Sequence, residues 1–291
     1  MLRMSPVPAE ATTFRSTSAF EAVVTSDRES TPHSLWNAGP NGLSVVIPAW
    51  NEEQRLPSTL DQYVSLCEAF HLPFEVIVVA DGVTDRTVEV ASLYSDRGVK
   101  VLRFDDRLGK GGAVLEGFRQ AKYDIVGFLD ADAPVTPVSL AYLIAELTSA
   151  DGAVASRWIA RSRWERRQPF SRRVFSRIWN LMTRFVLGLN LHDTQCGAKF
   201  FRREAVSTIL KRVTLTNWAF DAALLFHFKR AGYTVAEVPV DWNDGADTKL
   251  SVVRVVPAMF LSLIGIRLMS ISFLPRTTRA WAGRLHRYFI K

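Results

Sequence analysis

The chain has 291 residues, 48% hydrophobic and 22% charged, with 16 Gly and 13 Pro, a balance that excludes collagen-like, low-complexity and wholly disordered chains. A chain of this length buries roughly three quarters of the surface its unfolded form exposes, enough for one large domain or two small ones. Thirty-six Lys+Arg against 29 Asp+Glu leave a net charge of +7, which points to an anionic partner: nucleic acid, a phosphorylated substrate or an anionic membrane surface.

Residues 1–40 are rich in Ser, Thr, Pro and Ala, lack an apolar run of signal-peptide length and read as a mostly disordered tail. LSVVIPAW (43–50) is a β-branched run of strand length, after which Leu56, Leu60, Tyr63, Leu66 and Phe70 place one apolar stripe on a helix. The unit repeats as FEVIVVA (74–80) with a helix from about 85 to 94, and as VKVLRF (99–104) with a helix from about 111 to 121. A fourth strand, YDIVGFLD (123–130), follows. Such a series predicts an α/β fold whose mostly parallel sheet carries helices on both faces, with ligands beyond the carboxyl ends of the strands.

Those ends carry Asn51 and Glu52, then Asp81 and Asp85, then residues 107–112, then Asp130 and Asp132. Polar and acidic groups from four strand ends on one edge describe a phosphate or nucleotide site. Further along, a helix is expected from about 137 to 148 and a strand over 153–156. A basic stretch, 157–184, then holds nine arginines and a single acid, Glu165. The strand-like AKFF (198–201), a helix over 218–232 and the strand TVAEVPVDW (234–242) come next. The apolar stretch 252–274 approaches the length of a membrane span, but Arg254, Pro257 and Arg267 interrupt it and fit an interfacial helix better. The alternative for that segment is packing against the sheet or against a second copy of the chain, as in a homo-oligomer.

In extended backbone, residues i and i+2 face one side, so Asp130 and Asp132 can aim two carboxylates together at a strand end. Hard cations such as Mg2+ or Mn2+ prefer such oxygen ligands and complete their shell with substrate phosphates. Short acidic pairs also cap helices or face solvent; what distinguishes this one is its place after the fourth strand, with Asp81 after the second. RLGKGGA (107–113) lacks the Walker spacing, yet its glycines let amides turn outward at a helix start, where Lys110 adds positive charge. Cys67 and Cys196 have neither zinc nor disulfide-framework spacing, which favours a reducing, cytoplasmic-side location, and the five histidines lack paired-ligand spacing.

VVIPAWNEE (45–53), VVADGVTDRT (78–87), GKGGAVLEGF (109–118) and FLDADAP (128–134) resemble, in order and spacing, the metal-dependent, inverting glycosyltransferases of family 2 with a GT-A (Rossmann-like) fold. DTQCGAKFF (193–201), WAFDAALL (218–225) and EVPVDW (237–242) look most like its dolichyl-phosphate β-glucosyltransferase, or polyprenyl-phosphate hexosyltransferase, branch. One departure is Ala223, where the branch usually has an acid two positions after the Asp of its FD motif.

The resemblance implies that Pro48, Ala49, Asn51 and Glu52 line the nucleotide pocket and that Asp81 contacts the base or ribose. It implies that Asp130 and Asp132 hold Mg2+ or Mn2+ on the donor diphosphate with Lys110 nearby. Gln195, Cys196, Gly197, Trp218 and Asp221 would border the sugar and acceptor. The implied reaction moves a hexose, glucose from UDP-glucose in the favoured version, onto a polyprenyl phosphate at the cytoplasmic face of a membrane. Asp132, Asp221 and Arg157 would serve catalysis, with Arg157 the arginine to reach an acceptor phosphate, since guanidinium groups bind phosphate bidentately. On this reading 41–250 is the transferase domain, its nucleotide-sugar half 41–157 and its acceptor half 158–250, and 251–291 are membrane-associating or interface helices. GDP-mannose, another nucleotide sugar or a different acceptor are the nearest alternatives. A processive synthase would need a QxxRW motif and several spanning helices, neither of which is found. A basic nucleic-acid-binding or membrane-binding module explains the charge but leaves Asp81, Asp130 and Asp132 unexplained, so no nucleic acid is expected.

Overall fold

Strand β1 (Leu43–Ala49) is apolar at every position but Ser44 and buried along nearly its whole length, the pattern of a strand covered on both faces. It pairs in parallel with β2 (Phe74–Asp81) on one side and β4 (Ile125–Leu129) on the other, and β3 (Val99–Phe104) adds in parallel beyond β2. The computed structural model describes residues 41–70, 72–132, 135–164, 170–213, 219–242 and 252–270. The expected N-terminal tail and Trp218 lie outside them.

Helices α1 (Leu56–Ala69), α2 (Thr87–Ser92) and α3 (Gly109–Gln120) follow the first three strands, as the apolar spacing predicts. α2 is shorter than expected, because the chain tightens into a 3-10 turn and Gly98, at φ +82°, reverses it into β3. After β4 come α4 (Pro137–Ala145), which passes into a 3-10 turn before 149, and β5 (Gly152–Ser156). α4 starts where Thr136 caps it, its hydroxyl accepting from the Ser139 amide, with Pro137 at the first helical position.

The second half contains β6 (Arg163–Trp164), α5 (Phe170–Leu187), β7 (Ala198–Arg202), α6 (Arg203–Leu210), α7 (Phe220–Arg230), β8 (Val235–Pro239), β9 (Asp241–Trp242) and α8 (Val252–Met269). The main sheet runs β3-β2-β1-β4-β7-β5-β8. β7 is antiparallel to both of its neighbours, whereas β5 and β8 are parallel. The strand expected over 234–242 is divided: β8 joins the main sheet and β9 pairs with β6 in a separate two-stranded ribbon.

Both faces of the sheet are covered. Val46, Ile77, Val79, Val126 and Phe128 pack with Val114, Leu115 and Phe118 of α3 and with Phe220 and Leu224 of α7. On the other face α1 is tied to the end of β4 by the Thr59 hydroxyl, which donates to the Ala131 carbonyl at 2.7 Å, and by the Tyr63 hydroxyl, which donates to the Val135 carbonyl at 3.0 Å. α8 runs unbroken past Pro257 and lies against α5 and α7, with Ser262, Leu263 and Ile266 buried. No helix among the described residues is long and apolar enough to cross a membrane.

Candidate active site

The carboxyl ends of β1 and β2 are laced together. Asn51 stands at φ +55°, a left-handed conformation that asparagine tolerates better than most residues. Its Oδ1 accepts from the Thr84 amide at 2.9 Å and its Nδ2 donates to the Thr84 hydroxyl. The Glu52 amide donates to the Thr87 hydroxyl and the Glu53 amide to Asp85. Pro48 and Ala49 lead into this turn, half-buried and buried, and Trp50 projects outward under the Arg107 guanidinium, 4.0 Å from its ring centre. Burial raises the Glu52 carboxyl above its ordinary value against the pull of Arg55, which holds it in a bidentate pair.

Asp81 ends β2 and is buried; its carboxylate accepts from the amides of Leu108 and Gly109, with Arg107 Nε at 3.3 Å. The role expected from sequence was a contact to base or ribose. In the structure both oxygens bind amides at the start of α3, which ties the end of β2 to the loop that carries Lys110.

Lys110 is the centre of the site. Its Nζ lies 2.8 Å from Asp130 and 3.9 Å from Asp221, and the other oxygen of Asp221 lies 2.5 Å from Nζ of Lys199. Lys199 is wholly buried and also donates to the Cys196 carbonyl at 2.6 Å. Four charges thus alternate in one chain: Asp130, Lys110, Asp221, Lys199. Burial alone would push Asp221 up, but Lys199 and Lys110 outweigh it and hold the carboxyl below its ordinary value. Burial would likewise depress Lys110, and Asp130 and Asp221 reverse this and raise it.

Asp132 differs. Burial, reinforced by the neighbouring Asp130 charge, pushes its carboxyl up to about 6, with Arg55 at 3.9 Å pulling the other way. Its Oδ1 is buried and has no hydrogen-bond partner. Among the described residues no group of three or more His, Cys, Asp or Glu is disposed to hold an ion. Two carboxylates, one with an uncommitted buried oxygen, nevertheless suit a hard divalent cation that takes its remaining ligands from a diphosphate and water. Asp130 and Asp132 therefore fit a Mg2+ or Mn2+ ion in chemistry.

The DTQCG segment closes the other side. The Asp130 amide donates to the Gly197 carbonyl at 3.0 Å, and a Cβ built at 197 would overlap the Asp130 carboxylate, so any other residue there must push that side chain aside. The Cys196 thiol is buried and pushed up to about 12, which keeps it protonated and unreactive at neutral pH. The Gln195 amide donates to Asp193 at 3.2 Å. Arg157, expected at an acceptor phosphate, is turned inward: Nε and Nη2 fork the Asp193 carboxylate at 2.6 and 3.0 Å, and the Arg157 amide donates to it as well. Asp193 is fully buried, so this pair is a fixed support for the segment rather than a displaceable ligand site.

The profile of glycosyl transferase family 2 matches residues 44–210. The chain belongs to glycosyltransferase family 2. This family 2 enzyme is 38% identical over 224 residues to the glycosyltransferase AglD of Haloferax volcanii, a match covering 75% of this chain and 35% of AglD, about a third of that protein. It is 33% identical over 225 residues to the dolichyl-phosphate β-glucosyltransferase of Drosophila melanogaster, covering 72% of this chain and 69% of the fly protein. With the Homo sapiens dolichyl-phosphate β-glucosyltransferase the identity is 31% over 240 residues, covering 77% and 74%. Among solved structures, glucosyl-3-phosphoglycerate synthase of Mycobacterium tuberculosis in complex with Mn2+ and UDP-glucose superposes with a TM-score of 0.60 at 23% identity, covering 85% of each chain. TarS 1–349 of S. aureus gives 0.55 at 16% identity, covering 85% of this chain and 70% of that one. These superpositions show that the glycosyltransferase has the GT-A fold.

Of the expected site residues, Asp130, Lys110 and Asp221 come together directly, and Asp132, Cys196 and Gly197 adjoin them. Lys199, Asp193 and Arg55 belong to the same constellation and were missed. Lys199 had a signal: a lysine between Ala198 and Phe200 in a strand buried on both faces needs a buried counter-charge.

Proposed function

We propose that this enzyme transfers glucose from UDP-glucose, with inversion, to a polyprenyl phosphate of dolichyl type at the cytoplasmic face of a membrane. One observation carries the reading: 31–33% identity to the fly and human dolichyl-phosphate β-glucosyltransferases, spread over 69–77% of each chain. The chemistry of the site is compatible with it. An acceptor oxygen attacks the anomeric carbon while the bond from that carbon to the nucleoside diphosphate breaks, so negative charge grows on the departing diphosphate. Lys110 holds a positive charge beside that position. Asp130 and Asp132 would hold Mg2+ or Mn2+, which supplies further neutralisation of the leaving group. Pro48, Ala49, Asn51 and Glu52 would line the nucleotide, and Gln195, Cys196 and Gly197 the sugar.

Asp221 supports a phosphate acceptor in particular. Lys199 and Lys110 keep its carboxyl below the ordinary value, which makes it a weak proton acceptor. A phosphate monoester, with a second pKa of about 6, is already largely ionised at neutral pH and needs no strong base. Asp221 then fixes Lys110, and Arg157 supports the segment next to it.

The test is to incubate the full chain with Mn2+ or Mg2+, a polyprenyl phosphate and separately labelled UDP-glucose, GDP-mannose and UDP-N-acetylglucosamine. Label from UDP-glucose alone in an organic-extractable, acid-labile lipid is expected. Label from a different donor would overturn the sugar, and label retained only in a water-soluble phosphorylated product would overturn the acceptor.

A further inference from the structure

Helix α5 has two apolar faces. One packs inward, with Trp179 and Leu187 buried and Met182 and Val186 beside them in the core. The other carries Val174, Ile178, Leu181 and Phe185, which are 39, 46, 53 and 80% exposed. Steps of four, three and four put these side chains in one line along the helix. Among the described residues eight large hydrophobic side chains are exposed, and four of them lie on this line, with a fifth, Phe260, on the neighbouring α8. Isolated apolar residues on a surface need no explanation, but a contiguous row does.

One edge of the row is basic. Arg173, Arg177 and Arg184 are exposed, and α5 contains no Asp, Glu or Lys. Arg177 lies over the Trp158 ring at 4.2 Å, which anchors one edge of the row to the loop after β5. We propose that α5 lies in the surface of an anionic lipid bilayer, with Val174, Ile178, Leu181 and Phe185 in the headgroup–acyl boundary and Arg173, Arg177 and Arg184 among the lipid phosphates. Charge argues for this occupant: three arginines beside the row match lipid phosphates, whereas a second copy of the same row brings three more arginines and no acid to answer them. The inference rests on the polyprenyl-phosphate reading for the enzyme's need of a bilayer. It assigns a membrane contact to α5.

The docking helix is wired to the site. Asn180, on its inward side, accepts from the Thr194 amide and hydroxyl, both at 3.2 Å, within the segment that carries Asp193, Gln195 and Gly197. Seating α5 on a membrane therefore brings the acceptor side of the site close to the lipid surface.

The experiment sediments the full chain with vesicles of phosphatidylcholine alone and of phosphatidylcholine mixed with phosphatidylglycerol, at low and high salt. Binding to the anionic vesicles, weakened by salt and weaker on neutral ones, is expected. Leu181→Glu with Phe185→Glu should lower partitioning by about tenfold or more, and Arg173→Gln with Arg184→Gln should remove the preference for anionic lipid. Melting temperature and glucosyl transfer to detergent-dispersed polyprenyl phosphate should be unchanged in both variants. Unaltered vesicle binding in both would overturn the proposal, as would a wild-type dimer that the glutamate variant converts to monomer without vesicle binding. Loss of vesicle binding by the wild type with transfer in detergent intact would sink the docking face alone. Variant-sensitive vesicle binding without lipid glucosylation would support the docking face and sink the proposed activity.

Discussion

The two halves of the sheet are built on different principles. From β1 to β4 each strand is followed by a helix, and the four lie together in the order β3-β2-β1-β4, all parallel. Polar groups at those strand ends are positioned by bonds between adjoining strand-end loops: Asn51 by Thr84, Asp81 by the amides opening α3. In the second half β7 enters between β4 and β5 with the opposite direction, after a long excursion through α5. Its register sets Ala198 against Leu129 and Lys199 against Phe128. That pairing carries Gly197 onto Asp130 and Lys199 into the interior. The first half presents its groups through bonds between adjoining strand-end loops, whereas the second half closes buried charges over them.

The strongest way to break this contrast is Asp132→Asn. If the first half supplies the metal ligands, transfer should fall by about a thousandfold or more, with melting temperature preserved and Mn2+ binding, read by electron paramagnetic resonance, lost. Full activity in this variant would sink the assignment. In the second half, Lys199→Met should act on the fold instead. It leaves Asp221 with only the more distant Lys110, and should cost about 3–5 kcal/mol in denaturant melts. Adding Asp221→Asn should return much of that stability without returning transfer, an outcome that separates charge balance from catalysis. Gly197→Ala tests the seam between the halves. Its Cβ would displace the Asp130 carboxylate, so transfer should drop about ten- to a hundredfold with a smaller loss of stability, measured on the same preparation.

The smallest effect compares the two thiols, Cys67 in α1 and Cys196 beside Asp130. Burial raises each from the ordinary 9.0 to about 12. The folded chain therefore keeps both protons where the unfolded chain has released them. Stability from this source is full below about 9 and declines as pH rises from there toward 12. Neither thiol should react with a chromogenic disulfide reagent at pH 8 in the folded protein. Earlier labelling of Cys196 than of Cys67 would show that the second half opens first.

How much was legible follows the same division. The strand at 74–80 and the helix stripe of Leu56, Leu60 and Tyr63 could be read because a short β-branched apolar run and a spacing of three to four are each written within ten residues of chain. The D-x-D pair and the glycine loop were legible for the same reason. The stretch 234–242 was read as a single strand because apolar alternation continues through Val240; the break follows from β9 finding β6, a partner some eighty residues earlier. Arg157 was placed at a phosphate because an arginine after a strand end carries no local mark of a buried partner 36 residues away.

The sequence by itself therefore determined the βα units, the strand-end position of the candidate metal carboxylates and the family. The tertiary structure alone decided the antiparallel insertion of β7, the Asp130–Lys110–Asp221–Lys199 chain, the inward turn of Arg157 and the outward apolar row of α5. The physical reason is range. Helix and strand periodicity is a local property of backbone geometry, whereas the burial of a charge, and the choice of which of two apolar faces goes inward, depend on partners that only the packed chain brings within a few ångströms.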